Sequence, residues 1–247
     1  MNTDNIRGLI KKTDHWGWVE GLYLGGNDCG VALRLLDGQG YEPESRSLWR
    51  KLCHGAGLVI DIGAHTGIYS LDALKAGAEN VLSIEPYHMN FARLTLNIRH
   101  AGFSPENCML AAASDENKEI TLSVGTPPFY CSSGGRINST YKNGMLFKVR
   151  GIRLDSLVIE ELHSAVKVIK IDVEKCAVQV LNGMPKILSY KPDLILECTE
   201  DGLTEILKPL GYKFFRIDEK KGLSPVESLT PDFPFTFDCP NRYATCS

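Results

Sequence analysis

The chain has 247 residues, 43% of them hydrophobic and 23% charged, which is ordinary globular composition with length enough for one sizeable α/β domain and a modest appendage. A formal net charge of -3 and a pI near 6.1 give no general attraction to a phosphate backbone, so no nucleic-acid partner is expected. No apolar run approaches membrane-spanning length and the segment from Met1 to Lys12 lacks the apolar core of a secretory signal, so the expectation is a soluble cytoplasmic protein with no membrane partner.

Residues 1–50 carry Trp16, Trp18, Tyr23 and Trp49 among several glycines. They are expected to form a leader or cap packed on a second unit, residues 51–247, the whole folding as one globular body. The aromatic residues either close over a ligand or pack the leader on the core. Glu44 to Leu52 reads as a short helix, with Pro43 and an acid early and basic residues late. Leu58 to Ile62 is a buried strand that breaks into the turn Gly63-Ala64-His65-Thr66-Gly67. The first crossover helix, Ile68 to Ala76, follows. Asn80 to Ile84 is the second strand and ends on Glu85-Pro86; Met89 to His100 is the next helix.

A third strand is expected from Cys108 to Ala113, ending at Ser114-Asp115. Further extended segments are expected at Ile120–Val124 and Met145–Arg153, on either side of a glycine-rich loop, 126–144. Val166 to Glu174 reads as a strand, Val178 to Leu188 as a helix, Pro192 to Cys198 as a buried strand, and Tyr212 to Ile217 as a late, partly antiparallel strand; the tail from Pro231 is irregular. Strands alternating with helical spans predict right-handed crossovers and a mainly parallel sheet. The eight cysteines are scattered without a C-x-x-C spacing, which argues against a zinc ribbon or a thioredoxin-like site. Reduced thiols are expected, with a Cys239–Cys246 bridge the one pairing left open.

The turn after the first strand is where chemistry is expected. Gly63 and Gly67 allow close backbone approach, and a helix start points its amides at the same spot. Neither G-x-G-x-x-G nor G-K-[ST] is present. Asp61 inside the motif repels a pyrophosphate and suits a cation, and Glu85 lies where a doubly wound fold places the acid for ribose hydroxyls. Two acids without a phosphate clamp point to S-adenosylmethionine, with its positive sulfonium and ammonium and its paired ribose hydroxyls.

The second cluster is Lys170, Asp172 and Glu174. Period-two geometry puts the two acids on one side of a strand end, facing the crevice, with Lys170 one step back to neutralise or orient one of them. This is the expected acceptor side. Methyl transfer mainly requires an in-line, dry arrangement; where the acceptor is a hydroxyl a base assists, and the candidates are Asp172, Glu174 and His65, in that order. Asp172, Glu174 and Glu197 are oxygen ligands of the kind Mg²⁺ takes, but no ligand motif supports a metal, and none is expected.

These residues resemble the FkbM-like family of S-adenosylmethionine-dependent methyltransferases. The resemblance rests on Asp61 to Gly67, Ile84-Glu85-Pro86, Ala113-Ser114-Asp115, Arg153-Leu154-Asp155-Ser156-Leu157 and Ile169 to Glu174, and runs from about Tyr41 to Cys198. It implies a class I methyltransferase fold: a Rossmann-like three-layer sandwich whose mainly parallel seven-stranded sheet has one antiparallel strand. It also implies O-methylation of a small molecule, a natural product or a sugar. Carried over by position, Asp61, Gly63, Ala64 and Gly67 line the methionine end, with His65 and Pro86 contributing to the cofactor site; Glu85 holds the ribose, and Ser114 or Asp115 approaches the adenine. Family members usually continue Asp-Val-Glu with Gly-Ala-Glu, where this chain has Lys175-Cys176-Ala177. That departure is expected to change the turn into the next helix and removes an acid from the acceptor side. It keeps open a module that binds the cofactor without turnover; the other readings are N-methylation of a small amine and nicotinamide-dependent oxidoreduction, the latter disfavoured by the missing G-x-G-x-x-G.

Overall fold

The apolar runs Leu58-Val59-Ile60 and Val166 to Ile169 form adjacent parallel strands, and the sheet grows outward from that pair. The structure is a computed structural model, and it describes residues 16–25, 29–125, 131, 135–137, 144–197, 200–230 and 240–247. The hairpin β1 (Trp16–Val19) and β2 (Leu22–Gly25) leads to helices α1 (Gly30–Leu36) and α2 (Pro43–Cys53). Then come β3 (Leu58–Ile62), α3 (Ile68–Lys75), β4 (Val81–Glu85), α4 (His88–His100) and β5 (Cys108–Leu110). Strands β6 (Ala112–Ala113), β7 (Glu119–Val124), β8 (Arg136–Ile137) and β9 (Met145–Ile152) follow, and then α5 (Leu154–Leu157) and β10 (Val166–Ile171). The chain continues through α6 (Ala177–Asn182), α7 (Pro185–Ser189), β11 (Asp193–Glu197), α8 (Leu203–Leu207), β12 (Lys213–Asp218), β13 (Gly222–Val226) and β14 (Asn241–Thr245).

The main sheet has the order β13-β12-β14-β11-β10-β3-β4-β5. Strands β11, β10, β3, β4 and β5 pair in parallel. β14 runs antiparallel to both β11 and β12, so β12 points the same way as the parallel set. Seven of these strands are therefore the expected class I sheet with one reversed member, and β13 adds an eighth, antiparallel to β12 at the edge. The order reverses between β3 and β10, and open α/β sheets bind ligands at the carboxyl ends around such a point.

Both faces of the sheet are covered, which is why its strands read as nearly continuous apolar runs. Ile60, Ile62, Ile169, Ile171, Leu194 and Leu196 belong to one core with Val180, Leu181, Ile187 and Leu207. Val59, Val168 and Ile195 belong to the other, with Trp49, Leu71, Leu94 and Ile98. Alternation carries this second face on to Asp61, Lys170 and Glu197, so the polar residues at the carboxyl ends lie on the side of α2 and α3.

Several elements differ from expectation. The third strand divides: β5 stays in the main sheet, while β6 crosses to a second sheet of order β6-β9-β7-β8. The helix expected over Val178–Leu188 is two helices, because Gly183 and Met184 precede a proline that opens α7. A Cβ at Gly183 would stand 2.1 Å from the Ser114 carbonyl oxygen, so only glycine fits there. β10 ends at Ile171 rather than Glu174, which leaves Asp172 and Glu174 in the turn beyond it. Lys175, standing where family members usually carry glycine, takes a left-handed backbone with φ 55°.

In the leader, Trp18 stacks on His100 at 3.3 Å and Trp49 donates its indole N–H to the Tyr69 carbonyl at 2.8 Å. Both pack the leader on the core. The Trp16 side chain, Cys198, Cys239 and nearly all of the 126–144 loop and the 231–239 tail lie outside the described residues, so a Cys239–Cys246 bridge does too.

Candidate functional site

The turn after β3 is held from below and from the side. Ser70, in the first turn of α3, donates to Asp61 Oδ2 at 2.6 Å and shares a 2.7 Å hydrogen bond with Ser83 of β4. Asp61 is 1% exposed. Burial raises its carboxyl to about 6, opposed by Ser70 and by Lys170, its register partner on β10. Its hydrogen bonds thus anchor the turn from beneath. Gly63 takes φ 78°, and a Cβ there would lie 1.8 Å from the Asp172 carbonyl oxygen. This glycine lets the first turn and the end of β10 touch, and the Asp172 amide donates to Ile62 across the same junction at 2.9 Å.

Four of the turn's five amides are already committed. Those of Gly63 and Ala64 donate to the Ile84 carbonyl, and that of Gly67 to Ala64. That of His65 donates to Glu85 Oε2 at 2.8 Å. Glu85 Oε1 accepts from the Tyr87 amide at 2.8 Å, just past Pro86, and from Asn90 Nδ2 at 3.3 Å. Oε2 keeps one lone pair for a further donor. Burial raises Glu85 to about 8 in spite of these three donors. Gly67 has φ 98° because Leu94 of α4 occupies the space a Cβ would need, with Cδ1 2.6 Å away.

His65 adopts φ 51° and stacks the turn's chemistry on one ring. Nδ1 is 3.2 Å from Thr66 Oγ1. Nε2 is buried with no hydrogen-bond partner among the described residues. Burial lowers the imidazole below its ordinary value, so it is neutral near pH 7, and Asp172 is close enough to oppose that shift.

Lys170, Asp172 and Glu197 form one hydrogen-bonded group at the ends of β10 and β11. Lys170, 0% exposed, donates to Asp172 Oδ2 at 2.9 Å and lies 4.8 Å from the centre of the Tyr69 ring. Burial alone would raise Asp172, but the Lys170 ammonium and the hydrogen bonds from Lys170 and Glu197 hold it below the ordinary carboxylate range. Glu197 is the complement: burial and the Asp172 charge push it up to about 10, so it carries a proton and donates it to Asp172. Glu174 acts on Glu197 through its charge.

Sequence reasoning missed Glu42. It takes φ 44° ahead of α2, accepts from the Tyr69 hydroxyl at 2.5 Å and from Asn241 Nδ2 at 2.8 Å, and acts on Lys170 and Tyr41 through its charge. A left-handed, non-glycine residue at a cluster of charges is a position where strain and function meet. The sequence signal was slight: an acid before a proline. Glu197 was visible at a strand end, but its proton-sharing with Asp172 depends on the parallel register of β10 and β11.

Ser114 and Asp115 follow β6. Ser114 Oγ donates to Asp115 Oδ1 at 3.1 Å, and Arg153 Nη1 donates to the Asp115 carbonyl at 2.6 Å. Their hydrogen bonds join the second sheet to α5, and three residues before Ser114 the Ala111 amide donates to the Glu85 carbonyl at 3.2 Å. Among the described residues, no group of three or more His, Cys, Asp or Glu is placed to hold a metal ion, and no helix is long and apolar enough to cross a membrane.

An S-adenosylmethionine-dependent O-methyltransferase from Thermotoga maritima is similar in fold, with TM-score 0.43, 13% identity, and coverage of 90% of this chain and 72% of that one. An S-adenosylmethionine-dependent methyltransferase from Aquifex aeolicus matches at 0.43 and 13%, over 100% of both chains. An rRNA methylase from Streptococcus thermophilus matches at 0.45 and 12%, over 81% of this chain and 91% of that one. No curated protein sequence matches. The methyltransferase FkbM domain matches residues 61–218, a span that holds the β3 turn, Glu85 and the Lys170–Asp172–Glu197 group, and on that match the chain belongs to the FkbM methyltransferase family.

Proposed function

We propose that the protein transfers a methyl group from S-adenosylmethionine to a hydroxyl of a small, uncharged or cationic molecule. The observation that carries this reading is the pairing, at the switch point of the sheet, of an ionised Asp172 with a neutral His65 whose Nε2 has no partner among the described residues. The donor set fits the cofactor. The turn has spent the amides of Gly63, Ala64, His65 and Gly67, and what it offers is carboxylates, including the remaining lone pair of Glu85, suited to ribose hydroxyls and to a cationic sulfur.

When bound, the cofactor supplies an electrophilic methyl carbon. The protein holds the acceptor in line with it and keeps water out, and orientation of this kind contributes about 7–11 kcal/mol. Asp172, kept ionised by Lys170 and by the Glu197 proton, accepts a hydrogen bond from the acceptor hydroxyl and fixes its lone pair. Asp172 is too weak a base to complete the transfer, since a base works best with a pKa near the operating pH. His65 Nε2, neutral near pH 7 and without a hydrogen-bond partner among the described residues, takes the proton, which revises the order in which the sequence ranked the candidates. Glu42 adds negative charge around the buried ammonium of Lys170, which disfavours a polyanionic acceptor.

The test is single-turnover formation of S-adenosylhomocysteine with panels of polyols, phenols, amines and rRNA. Hydroxyl acceptors should turn over, with His65→Asn and Asp172→Asn each lowering kcat by about 10²–10⁴-fold and leaving S-adenosylhomocysteine binding within about threefold. Methylation confined to amines or RNA contradicts the acceptor assignment, and cofactor binding with no turnover in any panel supports the silent module instead.

A further inference from the structure

Two thiols meet beside the β3 turn and have no part in the chemistry above. Cys29, immediately before α1, and Cys131 are both buried, in the core cluster that includes Ala64, Ile68 and Leu94. Cys131 hydrogen-bonds the Cys29 sulfur. Cys29 Sγ also lies 3.5 Å from Thr66 Oγ1, which is 3.2 Å from His65 Nδ1. With the His65 proton on Nδ1, the tautomer that leaves Nε2 able to accept, the chain runs in one sense. Nδ1–H donates to Thr66, the Thr66 hydroxyl donates to Cys29, and Cys131 donates to Cys29 from the other side.

Two donors converging on one sulfur favour the thiolate. The Cys131 hydrogen bond, helped by Thr66, works against burial and lowers the Cys29 thiol well below its ordinary value. Burial prevails elsewhere: it pushes Cys108 and Cys176 up to about 11 and raises Cys53 and Cys246 as well. Cys29 is thus set apart as a nucleophile, and the thiol able to resolve it is already in contact.

We propose that Cys29 and Cys131 form a reversible oxidation site whose substrate is a small hydroperoxide. The Cys29 sulfur attacks one peroxide oxygen and the O–O bond breaks; the departing oxygen takes up a proton and leaves as water or an alcohol, and Cys29 becomes a sulfenic acid. The Cys131 sulfur then attacks the Cys29 sulfur, the S–O bond breaks, and water leaves with the Cys131 proton. Two electrons have passed from the thiols to the peroxide, and a disulfide joins the leader to the Cys131 segment. Its sulfurs close to about 2.05 Å, and the thiolate that ended the His65–Thr66 chain is gone. The effect on cofactor binding rests on the function proposed above; formation of the disulfide does not.

The experiment treats the full, reduced chain with stoichiometric hydrogen peroxide, blocks remaining thiols and maps peptides by mass spectrometry. The expected result is a Cys29–Cys131 linked peptide, reversed by dithiothreitol, with Cys131→Ser stopping at a dimedone-trapped sulfenic acid on Cys29. Cys29→Ser should consume peroxide at least about tenfold more slowly. Oxidation spread over the other cysteines, or equal consumption by wild type and Cys29→Ser, overturns the proposal. In a second arm, the oxidised protein should bind S-adenosylhomocysteine at least about tenfold more weakly than the reduced protein. Equal binding overturns the coupling to the cofactor site. A reduced protein that does not bind it at all contradicts the methyltransferase reading and leaves the disulfide result standing.

Discussion

The carboxyl ends of β3 and β4 and the carboxyl ends of β10 and β11 are both acidic, yet the acids do different work. Asp61 and Glu85 are held by neighbours: Ser70 on one, the His65 and Tyr87 amides and Asn90 on the other, with a single Glu85 lone pair left over. They shape a turn. Asp172 and Glu197 share a proton over a buried lysine and stand at the crevice. The difference shows that an acid's place in a motif does not settle its role; the donors already committed to it do.

The largest effect should come from breaking the junction between the two regions. Gly63→Val places a side chain against the Asp172 carbonyl at a left-handed position, and should destabilise the fold by about 4 kcal/mol or more, read from urea midpoints. Lys170→Met removes the cation from the second region alone. It should cost about 3–5 kcal/mol, and adding Asp172→Asn should recover a large part of that loss. If the double variant is no more stable than the single, Lys170 is not there to balance Asp172.

The sequence made the frame of this site legible and the proton arrangement illegible. The β3 turn, Glu85 and the Lys170–Asp172 pair are close in sequence to strand ends, so period and turn chemistry located them. Glu197 looked like one acid among many until register put β11 beside β10. Glu42 and Cys29 came from a leader without any motif. The start of α2 has no side-chain cap of its own: Glu219, from the β12–β13 turn, accepts from the Glu44 amide at 2.8 Å and from the Ser45 hydroxyl. Long-range contacts of that kind leave no local signature.

The pH dependence sharpens the contrast. Glu85 is raised from its ordinary 4.5 to about 8, so its protonated form stabilises the ligand-free fold. That contribution is complete below 4.5 and is lost as pH rises toward 8; Asp61, raised to about 6, has the same sign. Stability should therefore fall between about pH 4 and pH 8, and Glu85→Gln should flatten the fall. Binding of S-adenosylhomocysteine should strengthen over the same rise, since ribose hydroxyls donate better to the carboxylate. The smallest effect expected is at the family's glycine position: Lys175→Gly should stabilise the chain by about 1 kcal/mol by relieving its left-handed backbone.

The most direct measurement is calorimetric titration of wild type, Glu85→Ala and Asp172→Asn with S-adenosylhomocysteine and, separately, NADH. The account predicts affinity on the order of micromolar for S-adenosylhomocysteine alone, weakened at least about tenfold in Glu85→Ala and little changed in Asp172→Asn. Binding of NADH, or S-adenosylhomocysteine binding indifferent to Glu85, would contradict it.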